Sequence, residues 1–106
     1  MQDEIVNELV AIWFSEEHTM FDACTDEPEL AWRAIIEICS RDLTEDEEGL
    51  LAAGPLETLL SWHGATFIDR VVTEATKDQH FKTVLKLMWR HGIQDDIWVR
   101  IENARA

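Results

Sequence analysis

Four histidines, two cysteines and a large supply of carboxylates are the residues of this 106-residue chain that could do chemistry. His63 lies one residue before Gly64, on an apolar stripe with Leu56, Leu59 and Leu60, and Trp62 is beside it. As a general base it would need an orienting acid and a substrate pocket. Asp69 and Glu57 are near in sequence, but no known signature places either. A histidine at the C-terminal end of a helix satisfies free carbonyls and is favoured by the dipole. That structural role is the one expected of His63. Metal ligation could draw on His18, Asp22, His80 and His91, of which His18 and Asp22 are four residues apart. These two fall in a stretch read as loop and no second pair accompanies them. HExxH, EF-hand and Cys/His patterns are all missing. No metal and no cofactor is expected. Cys24 and Cys39 form neither a CxxC nor a zinc-ligand spacing, so two free thiols are expected. Cys39 falls among apolar helical neighbours and should be inert, whereas Cys24 is expected to be exposed, with no nearby base to activate it. With no GxSxG and no Gly-rich phosphate loop, the chain is expected not to be an enzyme.

The carboxylates are the stronger signal. Asp and Glu number 22 against 9 Lys and Arg, for a net charge of −13. Residues 1–48 hold 15 of the acids against only Arg33 and Arg41, and the remainder of the chain is balanced, seven acids to seven bases. The densest run is Asp42, Glu45, Asp46, Glu47 and Glu48. Acids suit the first turn of a helix, but one or two suffice for that. The surplus repels itself and points to association, so these five are the candidate partner-binding residues. Phosphate would be repelled, so direct nucleic-acid contact is not expected; a basic protein is the natural complement. Lys82, Lys86 and Arg90, at four-residue spacing, are read as a solvated basic face that offsets the acidic half.

These residues must be positioned by helices. Ile5, Val6, Leu9, Val10, Ile12 and Trp13 recur at helical spacing over residues 3–14. Residues 15–27 are polar and read as irregular. Pro28 then opens a helix at its favoured first position. Its Glu29, Arg33, Glu37 and Arg41 form one salt-bridged strip, and most of its other faces are apolar, as in a core helix. Thr44 and Glu47 match a capping box opening a short helix that Gly54 is expected to end in the left-handed conformation. Pro55 restarts the chain, Gly64 stops it, and Phe67, Ile68, Val71, Val72 and Ala75 line the next helix. Asp78 caps a helix running toward Gly92, and Asp95 or Asp96 opens the last, with Ile97, Trp98 and Ile101. No segment alternates as a half-buried strand would. The expected fold is all-α, one domain over residues 1–106. It is a compact bundle or stacked helical hairpins of about six to seven short helices. Trp32, Ile35, Ile38, Leu59, Leu60, Phe67, Val71 and Leu85 are expected in its core.

Residues 52–68, Ala-Ala-Gly-Pro-Leu-Glu-Thr-Leu-Leu-Ser-Trp-His-Gly-Ala-Thr-Phe-Ile, carry a resemblance. The Ala-Gly-Pro-Leu-Glu segment, then Leu-Leu, His-Gly and Phe-Ile, resembles a family of small bacterial domains of unknown function. The likeness extends more loosely to Trp32-Arg33, Phe81, Trp89 and Trp98. It implies a helical bacterial domain and assigns no residue a role. The acidity of residues 42–48 is a departure from it.

The N-terminal Met1-Gln2-Asp3-Glu4 is acidic where a secretory leader would be basic, and no apolar run has the length of a membrane span. A cytoplasmic location with no membrane contact is expected. Together, small size, charge asymmetry and the lack of a catalytic signature favour a cytosolic inhibitor of the immunity-protein type. Its acidic surface would neutralise a basic toxin or nuclease. The alternatives are a phage-type DNA mimic or anti-defence protein, whose acids would be spaced like phosphates, and a small enzyme using His63.

Overall fold

The computed structural model describes residues 2–15, 21–90 and 92–106. The described residues are helical with no strand, as the periodicity implies. Helix α1 (Gln2–Ser15) buries Val6, Val10 and Trp13, spaced four and three apart, against α3. Helix α2 (Phe21–Asp26) occupies part of the stretch read as irregular. Six residues cannot hold a helix in water, and two tertiary hydrogen bonds supply what the sequence lacks. The Cys24 thiol donates to the Pro55 carbonyl at 3.3 Å, and the Thr25 carbonyl accepts from the His63 ring.

Helix α3 (Pro28–Cys39) opens on its proline and buries Ala31, Trp32, Ala34, Ile35, Ile38 and Cys39. It touches α1, α2, α5 and α6, the central position its apolar girth implies. The Trp32 ring lies 5.9 Å from Phe67 and 5.8 Å from Phe81, tying three helices together. The expected charged strip is realised at Glu37–Arg41, 3.2 Å apart. Glu29 instead reaches across to Arg70 of α5, at 2.6 Å, and that hydrogen bond holds its carboxyl below the ordinary value.

Helix α4 (Glu45–Leu51) starts on the capping box: Glu47 N–H donates to Thr44 Oγ1 at 3.1 Å and Thr44 N–H donates to Glu47 Oε1 at 2.9 Å. It does not stop at Gly54, whose backbone is not left-handed. The chain passes through a π-helical turn, Ala52–Leu56, directly into α5 (Glu57–Lys77). Proline has no N–H to give and its ring crowds the carbonyl four residues back. A wider turn spanning one extra residue removes both conflicts, so Pro55 is absorbed instead of ending the helix. Nor does Gly64 end a helix. The break is a kink at His63 (φ −133°, ψ 30°), after which the helix continues. Gly64 serves close packing: a Cβ there would sit 3.2 Å from Ile97 Cγ2 of α7.

Helix α6 (Gln79–Lys86) is capped by Asp78, which accepts from the His80 and Phe81 amides. It ends well before Gly92. Arg105 donates to the Leu85 carbonyl at 3.3 Å and the Met88 carbonyl at 2.7 Å, closing the helix from α7. Helix α7 (Asp95–Ala104) follows Gln94 and buries Ile97 and Ile101 against α5. The eight residues expected in the core are all buried. The result is an all-α bundle of 33 × 27 × 23 Å, built around α3 and crossed by the continuous helical run from Glu45 to Lys77, which is kinked at His63.

Candidate functional site

The five acids singled out in the sequence divide into two kinds. Glu47 is consumed by the capping box. Glu48 turns inward, its side chain only 16% exposed, and Oε2 lies 2.8 Å from His80 Nε2. The other ring nitrogen, Nδ1, donates to the Cys39 carbonyl at 2.6 Å, so His80 joins α6 to the end of α3 and to the middle of α4. Asp42, Glu45 and Asp46 are exposed, and no ion pair is formed by them among the described residues. They cluster at the N-terminus of α4, where the helix dipole favours anions.

The continuous helical run from α4 into α5 also carries exposed apolar groups that charge-based reading missed. Leu50 is 45% exposed, four residues along from Asp46, and exposed Ala53 follows at the next turn. Beyond the π turn come half-buried Glu57 and Ser61, then Trp62, which is 64% exposed. The signal for Trp62 was present in the sequence. It lies off the stripe of Leu56, Leu59, Leu60 and His63, and so had to face away from the core.

A concavity of about 500 Å³ lies against the π turn, lined by Gly54, Glu57, Ser61, Trp62 and Gly92 among others. Ser61 Oγ donates to Glu57 Oε1 at 3.3 Å. A larger cleft, about 510 Å³, runs between α1 and α3 past Trp32, Arg33 and Glu37.

His63 is half-buried, and its Nε2–H donates to the Thr25 carbonyl at 2.8 Å. It satisfies a helix-end carbonyl, as expected of it, but one belonging to α2 and not to its own helix. Of the metal-ligand candidates, His18 and His91 lie outside the described residues, Asp22 is exposed, and His80 is engaged as above. Among the described residues no three of His, Cys, Asp and Glu converge as a metal site would require.

Both thiols are free and buried, which corrects the expectation that Cys24 is exposed. Cys24 is inserted by α2 into the bundle. Burial pushes its thiol up to about 12. Burial does the same for Cys39, also to about 12, aided by the negative field of Asp78, Glu74 and Glu48. Neither is a nucleophile in this state.

The basic stripe is engaged at one of its three residues. Arg90 pairs with Asp95 and donates to the Ile93 carbonyl, Lys82 is half-buried, and Lys86 is exposed. No helix among the described residues is long and apolar enough to cross a membrane.

No curated protein and no solved structure matches the chain. A family model does, over nearly its whole length, including the Ala-Gly-Pro-Leu-Glu segment that runs from the π turn into α5. The chain belongs to the family described as "Family of unknown function (DUF6869)", whose model matches residues 2–106.

Proposed function

We propose that this chain is a cytoplasmic bacterial binding protein of the immunity type. It neutralises a basic toxin or nuclease by covering it with the acidic end of α4, and it performs no catalysis itself. The observation that carries this reading is the pairing of exposed, unbridged Asp42, Glu45 and Asp46 with exposed Leu50 on the same short helix. Charge attracts and orients a partner at long range, while a desolvated apolar residue holds it once bound. The concentration of net charge in residues 1–48 extends the same field over one side of the sequence.

The test replaces Asp42 by Asn, Glu45 by Gln and Asp46 by Asn, leaving the cap acceptor Glu47 and the His80 contact of Glu48 intact. Wild-type and variant chains are used to capture proteins from the bacterial host, and the association rate of a captured basic protein is followed by stopped flow across a salt series. With a Debye length of about 8 Å at physiological salt, the wild-type rate should fall as salt rises. The variant should keep its circular dichroism, associate several-fold more slowly and respond less to salt. A partner whose association ignores both salt and the three substitutions would refute the acidic face as the binding surface.

A further inference from the structure

We propose that His80 and Glu48 form a proton-held latch that fastens α4 to the bundle and releases it as pH rises. The effect of the latch on a partner rests on the function proposed above; the latch itself does not. His80 Nδ1 lies 2.6 Å from the Cys39 carbonyl oxygen, and Nε2 lies 2.8 Å from Glu48 Oε2. Both neighbours are acceptors. A neutral imidazole has one N–H and one lone pair and can serve only one of them, whereas the imidazolium donates to both. The carbonyl brings no hydrogen of its own, so the Nδ1–H is kept. The proton that comes and goes is the one between Nε2 and the carboxylate. Without it, a lone pair faces a carboxylate oxygen at hydrogen-bond distance and the contact turns repulsive. The other titratable and charged groups at this end of the bundle are engaged or exposed, among the described residues. On α3, Glu37 is bonded to Arg41 at 3.2 Å, and burial holds the Cys39 thiol up to about 12. On α5, Glu74 pairs with Lys77 at 3.5 Å. Asp78 is occupied by the α6 amides that it caps. On α4, Glu47 is tied into the cap, and Glu45 and Asp46 are exposed. Glu48 is therefore the group whose bond to the ring depends on the proton.

Helix α4 depends on such a tie. It is seven residues long, and Leu51 is its one buried side chain. A helix of that length does not hold itself in water. Its capping box is internal to its own first turn. Among the described residues, the Glu48–His80 bond is its one side-chain hydrogen bond to another helix. Loss of the proton also leaves the Glu48 charge unanswered, in a run with Glu45, Asp46 and Glu47. Like charges three or four residues apart on a helix destabilise it. The far end of α4 continues through the π turn into α5 and stays anchored. The end set free is the one that presents Glu45 and Asp46.

The experiment needs no partner. The histidine rings are followed by long-range proton–nitrogen correlation NMR from about pH 5 to about pH 9, a span that brackets the range in which histidines ordinarily change charge. The His80 signals are assigned from a His80→Gln variant. Hydrogen exchange of the Glu48–Leu51 amides is measured over the same series and corrected for the intrinsic pH dependence of exchange. His80 should carry hydrogen on both nitrogens at the acid end and keep only Nδ1–H at the alkaline end. Protection of the α4 amides should fall about fivefold with the same midpoint, as for loss of a partly exposed ion pair. The amides of Leu59 and Val71 in α5 should keep their protection. Glu48→Gln is the decisive variant. Its amide can donate to a neutral Nε2, so the contact survives loss of the proton and α4 protection should be flat with pH. Glu48→Ala should leave α4 weakly protected throughout. A ring that never carries both hydrogens would overturn the proposal. So would α4 protection that ignores the ring, an equal loss in α4 and α5, or wild-type pH dependence in Glu48→Gln. With a captured basic partner, association should slow above the midpoint for wild type and not for Glu48→Gln. If α4 loosens with the ring but association is unchanged, the latch stands and the acidic end of α4 falls as the binding surface.

Discussion

Cys24 and Cys39 have opposite sequence surroundings and the same fate. One lies in a polar stretch and the other in the core helix, yet both thiols are buried and raised to about 12. A group whose folded value lies above its unfolded one stabilises the fold fully below the unfolded value, and that contribution is lost as pH rises toward the folded value. Between about pH 9 and pH 12 the unfolded chain therefore gains thiolate that the fold forbids. Each thiol should remove about 1.4 kcal/mol of stability per pH unit in that window. Urea unfolding at pH 8 and pH 10.5 would show this loss in wild type. A Cys24→Ala, Cys39→Ala variant, less stable at pH 8 through lost packing, should lose markedly less on going to the higher pH. Equal pH dependence of the two would show that other groups govern alkaline unfolding. Thiol reagents should modify neither cysteine until the chain unfolds.

At the scale of elements, local rules were legible wherever one residue type forces one geometry. Thr44 with Glu47 opened α4, Pro28 opened α3, and Asp78 capped α6, each a backbone N–H problem with a local solution. Replacing Thr44 by Ala removes the acceptor for the Glu47 amide and should cost about 1 kcal/mol, readable as a lower urea midpoint with an unchanged slope. A variant as stable as wild type would mean that α4 is held wholly by its packing. What stayed hidden depends on groups distant in sequence. Helix α2 is too short for its apolar spacing to be read; it is held by the burial of Cys24 and by the contacts of Cys24 and Thr25 with Pro55 and His63, 31 and 38 residues away. Gly54 and Gly64 read as terminators because glycine often is one, but one lines a π turn and the other lets α5 approach Ile97. The candidate site was half legible for the same reason. The charge of residues 42–48 was plain, whereas the separation of Glu48 from Glu45 required knowing that His80, 32 residues on, stands beneath it.

For the molecule as a whole, the net charge of −13 works against the compact state. At 10 mM salt the Debye length is about 30 Å, comparable with the 33 Å long axis. Nearly every carboxylate then feels every other. Raising salt to physiological strength shortens that reach to about 8 Å, so the thermal midpoint should rise. Association with a basic partner should slow over the same range. Stability falling with salt would instead show that surface pairs such as Glu29–Arg70 and Asp69–Arg100 outweigh the repulsion.

The π turn has a bearing on how such a surface can change over generations. A π turn amounts to one residue inserted into an α-helix, and one residue rotates everything downstream by about 100°. Residues 52–56 therefore act as an angular setting between two segments of a single rod: the acidic end of α4 and the stretch bearing Trp62. Loss of Pro55 here would leave an ordinary helix of good length while swinging Trp62 and the core stripe of Leu59 and Leu60 away from their present bearings. Point substitutions along the exposed side can retune it for a new partner one position at a time. A length change in this turn cannot be taken alone, because the outer face and the inner core turn together.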